Sequence, residues 1–271
     1  MSDPQQTPTD RHGLPAGVAV VIPAKDETEL IGRTVLAARE ILGVDVIIVV
    51  DDGSSDRTAA TARAAGAAVV SHRRNRGKAA AMATGAQAVA LLDAARAQTV
   101  RESAAQPPAA RGLLFLDADL AESACGAAGL VDLVLAGHAD MTIAILPSQH
   151  APGGGRGRVV DLARQGIITA TGWLPTQPLS GIRCLSRAAF DAASPLAAGW
   201  GVETALTIDL LRAGMRVREV PCELFHRVSG ADLAGTLHRA AQYRDVARAL
   251  AARGLLDLGL RRLLRPVPRS C

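Results

Sequence analysis

Aromatic side chains are scarce: phenylalanine, tyrosine and tryptophan together make up 2% of the 271 residues. Ala, Val and Leu must therefore fill the core, and Trp173, Trp200 and Tyr243 are the only large rings besides three phenylalanines. Surfaces that hold single-stranded nucleic acid stack bases on several aromatics, so that class of partner is excluded. Cysteine is also sparse. Cys125, Cys184, Cys222 and Cys271 are widely spaced, with no Cys-x-x-Cys pair and no His-Cys cluster. Neither a disulfide framework nor a structural zinc site is expected, and a reducing, cytoplasmic setting is. No uncharged apolar run approaches the roughly 18–20 residues of a membrane span. The polar stretch from Met1 to Pro15 has no apolar segment of the signal-peptide kind. The expectation is a soluble chain, at most peripheral at the inner membrane face. Charge of either sign is not in large excess; the net +4 gives a mild bias towards anionic partners such as phosphorylated molecules.

What is present is an alternation of apolar strands and helical stretches. Val18–Ile22, ending at Pro23, and Val46–Val50 read as buried strands, followed by a short strand at 67–71, Leu113–Leu116 and 139–146. Helices are expected from Thr28, as cap, to about Leu42, then at 56–65, 78–95, 159–171, 202–213 and 233–253. Continuous apolar strands between helices predict a mostly parallel central sheet covered by helices on both faces. Residues 97–111, with Pro107-Pro108, read as an exposed insertion, and 152–158 as a mobile basic loop. The division expected is a flexible tail at 1–16, a main domain at 17–228 and a carboxyl-terminal helical extension at 229–271. Leu255 to Arg265, alternating leucine with arginine, reads as a terminal packing helix with a basic face.

Three acidic clusters close three of these strands: Asp26-Glu27, Asp51-Asp52 and Asp117/Asp119. The carboxyl ends of parallel strands lie along one edge, where ligands bind, so residues distant in sequence should meet there. Gathered carboxylates repel unless a cation or ligand hydroxyls relieve them. In an extended chain residues i and i+2 share a side, so Asp117-Ala118-Asp119 can aim two carboxylates at one hard cation, Mg²⁺ or Mn²⁺. Taken alone, such a pair reads more readily as a helix cap; after a buried strand and beside the other two clusters, the cation reading prevails. Asn75-Arg76-Gly77-Lys78, at a helix start, joins backbone N–H groups to two cations and suits a diphosphate; its plain alternative is a solvated basic turn.

Taken together, Val21-Ile22-Pro23-Ala24-Lys25-Asp26-Glu27, Val50-Asp51-Asp52-Gly53-Ser54-Ser55-Asp56-Arg57-Thr58, Asn75-Arg76-Gly77-Lys78 and Phe115-Leu116-Asp117-Ala118-Asp119 resemble the family 2 type of GT-A glycosyltransferases. The second half is similar to the glucosyl-3-phosphoglycerate synthases at Gly157-Arg158-Val159, Gln177-Pro178-Leu179-Ser180-Gly181, Gly199-Trp200-Gly201-Val202-Glu203 and His226-Arg227.

The resemblance implies a GT-A fold and a donor-nucleotide site made of Pro23, Ala24, Glu27, Asp51, Gly53, Lys78, Asp117 and Ala118. Lys78 would serve the base or the diphosphate, and Asp117 the ribose or the metal. Asp119 and His226 would ligate Mg²⁺ or Mn²⁺. Gly157, Arg158, Ser180 and Gly181 would face the acceptor, Arg158 meeting its phosphate. Glu203 would be the catalytic carboxylate, a general base if the enzyme inverts or a positioner of the acceptor if it retains. Val160 stands where those synthases carry threonine, which removes a hydroxyl donor from the acceptor side.

The implied activity is transfer of a hexose, glucose foremost, from a nucleotide-diphosphate sugar to a small phosphorylated acceptor. UDP-glucose is favoured, with a GDP-sugar as the alternative donor. A polyprenyl-phosphate (lipid-phosphate) glycosyltransferase at the membrane surface and a non-catalytic nucleotide-sugar-binding protein are the competing readings. The long carboxyl-terminal helices offer a homodimer interface.

Overall fold

The structure, a computed structural model, describes residues 15–102, 108–147, 157–226 and 233–255, with side chains from 240 onward in the last segment. Most of the expected tail at 1–16, the glycine-rich part of the 152–158 loop, Arg227 and nearly all of the 255–265 segment lie outside the described residues.

Seven strands form one sheet in the order β3-β2-β1-β4-β6-β5-β7. β1 (Val18–Ala24), β2 (Val44–Asp51), β3 (Ala68–Ser71) and β4 (Gly112–Phe115) are parallel neighbours. β5 (Met141–Ile145) and β7 (Val217–Pro221) are also parallel to each other, and β6 (Arg183–Leu185) runs antiparallel between β4 and β5. The mostly parallel α/β sheet is as expected.

Alternation along the strands sends neighbouring residues to opposite faces. Val18, Val20 and Ile22 of β1 pack with Ile31 and Val35 of α1 (Ile31–Arg39) and with Leu130 and Val131 of α4 (Ala128–Leu135). Ala19 and Val21 face the other way, onto Met82 and Val89 of α3 (Lys78–Glu102). That layer continues through Phe190 of α6 (Arg187–Ala192) and Val202 and Leu206 of α7 (Val202–Arg212). The remaining helix before β3, α2 (Thr58–Ala64), buries Ala62 on the first face. A third core lies off the sheet. Leu162 and Ile167 of α5 (Arg158–Thr171), Ile208 of α7, and Val246 and Leu250 of α8 (Leu233–Ala251) meet there. With each buried Leu or Ile worth roughly 2 kcal/mol, this cluster ties α8 firmly to α5 and α7.

Several sequence expectations need correction. β1 does not stop at Pro23 but runs to Ala24. β4 pairs with β1 only as far as Val21. Backbone groups of alternate residues point to the same side, so the N–H that proline lacks falls beyond the end of β4 and no ladder bond is lost. Thr28 caps no helix: its N–H goes to Asp56 Oδ2 at 3.1 Å, and α1 begins at Ile31. The first six residues of the expected 97–111 insertion continue α3, which holds no breaker before Pro107 and carries a Gln98–Glu102 bond one turn apart. β6, β7, α4 and α6 have no counterpart among the elements expected from the sequence. Among the described residues no helix is long and apolar enough to cross a membrane.

Candidate active site

Because β1, β2 and β4 are parallel neighbours, their carboxyl ends share one edge, and the three acidic clusters leave the sheet there. The carboxylates do different work. Asp26, in a left-handed conformation (φ 55°), takes the N–H of Ser55 at 2.7 Å, while its own N–H goes to Ser54 Oγ at 2.9 Å. Bonds from Lys25 and Ser55 lower its pKa to about 2. Glu27 donates its N–H to Thr58 Oγ1 at 2.8 Å, and Asp56 accepts the N–H of Thr58 at 2.9 Å. These bonds lock the turn after β1 to the turn after β2. Asp51, buried at the end of β2 beside Ala24, spends one oxygen on the N–H of Ser54 (3.0 Å). Gly53 (φ 73°) lies so close under Arg74 and Asn75 that a Cβ would sit 2.6 Å from backbone carbon. The glycine is required by both conformation and close approach.

The basic turn at 75–78 departs from the expected diphosphate cradle. The N–H groups of Arg76 and Gly77 each lie 2.8 Å from a carboxylate oxygen of Asp52, so they are already engaged. What the turn delivers is Lys78. Its ammonium meets Asp117 Oδ1 at 2.8 Å and Glu203 Oε1 at 3.3 Å. Burial alone would lower the lysine's pKa, but the two carboxylates outweigh it and hold the pKa above the ordinary value. Asp117 is likewise kept below the ordinary carboxylate range by Lys78 and His226, against the effect of burial.

His226 stands between the members of the Asp-x-Asp pair, Nδ1 3.0 Å from Asp119 Oδ1 and Nε2 3.8 Å from Asp117 Oδ2. The Asp119 bond raises its pKa, against the effect of burial. Among the described residues no three His, Cys, Asp or Glu side chains close a metal cage by themselves. A hard cation held here would take at most two ligands from these side chains and the rest from water or phosphate oxygens, as Mg²⁺ commonly does.

A cavity of about 420 Å³ opens over this centre, and Lys78, Asp117, Ser180, Gly181, Glu203 and His226 all line it. Val159, Val160, Leu179 and Trp200 form its apolar side. Gly181 is pressed against Lys78; a Cβ there would stand 2.2 Å from Nζ. Ser180 Oγ is buried and has no hydrogen-bond partner. Pro23, Ala24, Glu27, Asp51 and Gly53, expected on the donor side, are at the adjoining strand ends rather than in the cavity wall. Ala118 is buried, with its carbonyl accepting Thr34 Oγ1 at 2.8 Å. Gly157 and Arg158 are exposed at the start of α5, which puts Val159 and Val160 into the wall.

The residues that shape the cavity from below are not found by sequence reasoning. Arg183 is completely buried, and its guanidinium donates to Ser180 O (2.7 Å), Glu203 O and Thr207 Oγ1 (both 2.9 Å) and Pro178 O (3.3 Å). Burial lowers its pKa to about 10, with Glu203 and Glu219 opposing. Glu219 accepts the N–H groups of Thr176 and Gln177 at 2.8–2.9 Å, and the Gln177 amide spans both backbone groups of Leu146 (3.0 and 2.7 Å). The one signal of this network in the sequence is a charge inside the apolar run Ile182-Arg183-Cys184-Leu185.

Residues 19–90 match the family described as Glycosyl transferase family 2. Over 72 residues the chain is 46% identical to a glucosyl-3-phosphoglycerate synthase of Mycolicibacterium smegmatis, covering 25% of this chain and 24% of that protein. Over 222 residues it is 26% identical to the glycosyltransferase AglJ of Haloferax volcanii, covering 80% of this chain and 66% of the relative. The matches thus span less than two thirds of either relative. Among solved structures, the glucosyl-3-phosphoglycerate synthase of Mycobacterium tuberculosis in complex with phosphoglyceric acid superposes with a TM-score of 0.66 at 28% identity, covering 88% of this chain and 80% of that one. The same enzyme in complex with Mn²⁺, uridine diphosphate and phosphoglyceric acid gives a TM-score of 0.65 at 26% identity and covers 88% and 78%.

Proposed function

Starting from a chain that carries a family 2 glycosyl transferase domain on a GT-A fold, we propose that it transfers a hexose from a nucleotide-diphosphate sugar to a hydroxyl of a small phosphorylated acceptor. UDP-glucose is the donor favoured, since the M. tuberculosis relative has been crystallised with Mn²⁺, that nucleotide sugar and phosphoglyceric acid. One observation carries the reading: Lys78 bridges Asp117, from the donor edge of the sheet, and Glu203, from the helix that closes the cavity. The donor's leaving group and the acceptor's hydroxyl thereby meet at one ammonium.

In the transfer, the bond between the anomeric carbon and the diphosphate oxygen breaks and a bond to the acceptor oxygen forms. Glu203 orients the acceptor hydroxyl. Its proton passes to Glu203 if attack comes from the face opposite the diphosphate, and to the departing diphosphate if it comes from the same face. Asp119 and His226 would hold a divalent cation, Mg²⁺ or Mn²⁺, with Asp117 beside them. Such an ion supplies neutralisation of the charge that grows on the leaving diphosphate. Arg158, exposed at the rim, would meet the acceptor's phosphate.

The test is a thermal-shift titration of the purified protein with UDP-glucose, with and without Mn²⁺, because a ligand of the native state raises the melting temperature by mass action. Wild type should show a shift that grows with Mn²⁺, and Asp119→Ala should lose the metal-dependent part. A wild-type protein indifferent to every nucleotide sugar would overturn the reading.

A further inference from the structure

A second polar cluster lies behind the site and touches none of the cavity. His72 follows β3 directly, its side chain only 5% exposed. Nδ1 stands 2.6 Å from Asp52 Oδ1, and Nε2 stands 3.0 Å from Thr84 Oγ1, on the second turn of α3. An ionised carboxylate only accepts, so Nδ1 carries the hydrogen. Asp52 is buried too, and both its oxygens are taken up by this ring and by the N–H groups of Arg76 and Gly77. The imidazole therefore anchors the carboxylate at one end and the helix at the other. The carboxylate in turn fixes the last two residues before Lys78. A buried His-Asp pair is costly to desolvate unless each partner is satisfied, and here the satisfied arrangement ends on the residue that bridges the two halves of the site.

We propose, resting on the transferase reading above, that His72 is a positioning residue for sugar transfer: through Asp52 it sets the pose of the 73–77 turn and so delivers the Lys78 ammonium to Asp117 and Glu203. It touches neither sugar nor phosphate. Its effect on the reaction passes through Lys78 alone.

Two substitutions separate the two ends of the ring. In His72→Asn the side-chain amide stands where Nδ1 stood, which keeps the bond to Asp52 and breaks the one to Thr84. In His72→Gln the amide reaches Thr84 instead, and the bond to Asp52 is broken. Each is measured by melting temperature, by the affinity of UDP with Mn²⁺ from calorimetry, and by UDP release from UDP-glucose with 3-phosphoglycerate as probe acceptor. His72→Asn should keep UDP affinity and turnover within about threefold of wild type. His72→Gln should lose about 30-fold in turnover, the scale seen when a supporting hydrogen bond is removed from behind a reacting group. It should also weaken UDP binding, and that loss should vanish in a Lys78→Ala background, because two residues acting in series are not additive.

Equal losses in the two variants, or a His72→Gln effect on UDP affinity that persists undiminished beside Lys78→Ala, would show that the cluster only stabilises the fold, and the inference falls. A wild-type protein that binds no UDP and releases none from UDP-glucose would instead bring down the transferase reading, and this inference with it.

Discussion

The two flanks of the cavity are built by opposite means. On the donor flank, from β1 to the start of α3, acidic side chains are consumed by nearby turns. Asp26 holds Ser55, Asp51 holds Ser54, Asp52 holds Arg76 and Gly77, and Asp56 holds Thr28 and Thr58. On the acceptor flank, loop 176–181 is held by single residues from separate elements: Glu219 on β7, Arg183 on β6, and the Gln177 side chain folded back on Leu146. The donor flank is a set of short motifs whose residues serve each other. The acceptor flank is a loop hung from distant clamps, free to change its lining without disturbing the motifs.

If that contrast is right, the largest stability loss should follow removal of an acceptor-flank clamp. Arg183→Met strands the carbonyls of Ser180 and Glu203 in a dry interior, and should cost about 3–5 kcal/mol in urea unfolding. A variant that unfolds like wild type would show that the guanidinium is dispensable. Next in size, Lys78→Met should reduce UDP release from UDP-glucose by about 10²-fold, the cost of removing one preorganised electrostatic group, because it strikes both flanks where they meet. Glu219→Ala should raise the acceptor KM by about tenfold, the usual scale when a hydrogen bond that orients a binding loop is removed, and leave UDP affinity as it was; equal loss on both sides would erase the distinction between flanks.

Ser180→Ala discriminates at a finer level. The ligand-free protein should be unchanged or gain about 1 kcal/mol, since a buried hydroxyl without a partner is removed. Acceptor affinity should fall, provided the hydroxyl's partner is the acceptor. The smallest effect concerns Asp140, which sits beyond the sheet end beside Arg216. Burial pushes its pKa up, but hydrogen bonds from Arg216 outweigh this and leave it below the ordinary value. With a folded pKa below the unfolded one, its contribution is present above the ordinary carboxylate range and lost as pH falls through the folded value. Asp140→Asn should flatten the acid limb of the melting-temperature profile slightly, and an unchanged limb would remove Asp140 from that account.

The same contrast explains what can be read from residues alone. Val18–Ile22 and Val46–Val50 are continuous branched runs buried on both faces, so their strands are plain in the sequence, and the acids after them mark the edge where ligands bind. Lys78, Asp117, Glu203 and His226 are candidate site residues from their motifs, and the fold brings them to one cavity. β6 and β7 escape such reading for physical reasons. β6 has three residues and opens on a charged one, so no apolar pattern has room to form, and β7, Val217 to Pro221, is a half-exposed edge strand. Arg183 shows only as a charge in an apolar run, and His72 carries no local pattern at all. Their importance arises only when burial withdraws water from them, and burial is a property of the folded chain. The reach of α3 through residues 97–102 is hidden by their polar composition, which imitates a loop although nothing before Pro107 breaks a helix.

The antiparallel β6 is the seam of the molecule. It alone joins β3-β2-β1-β4 to the β5–β7 pair, yet it is made after β5. Without β6, β4 and β5 would each have an open side, and Lys78 and Asp117 would stand at an edge with nothing to close against. Its three residues unite the two halves of the sheet, and the cavity closes over that seam only with the later arrivals, Glu203 of α7 and His226 after β7.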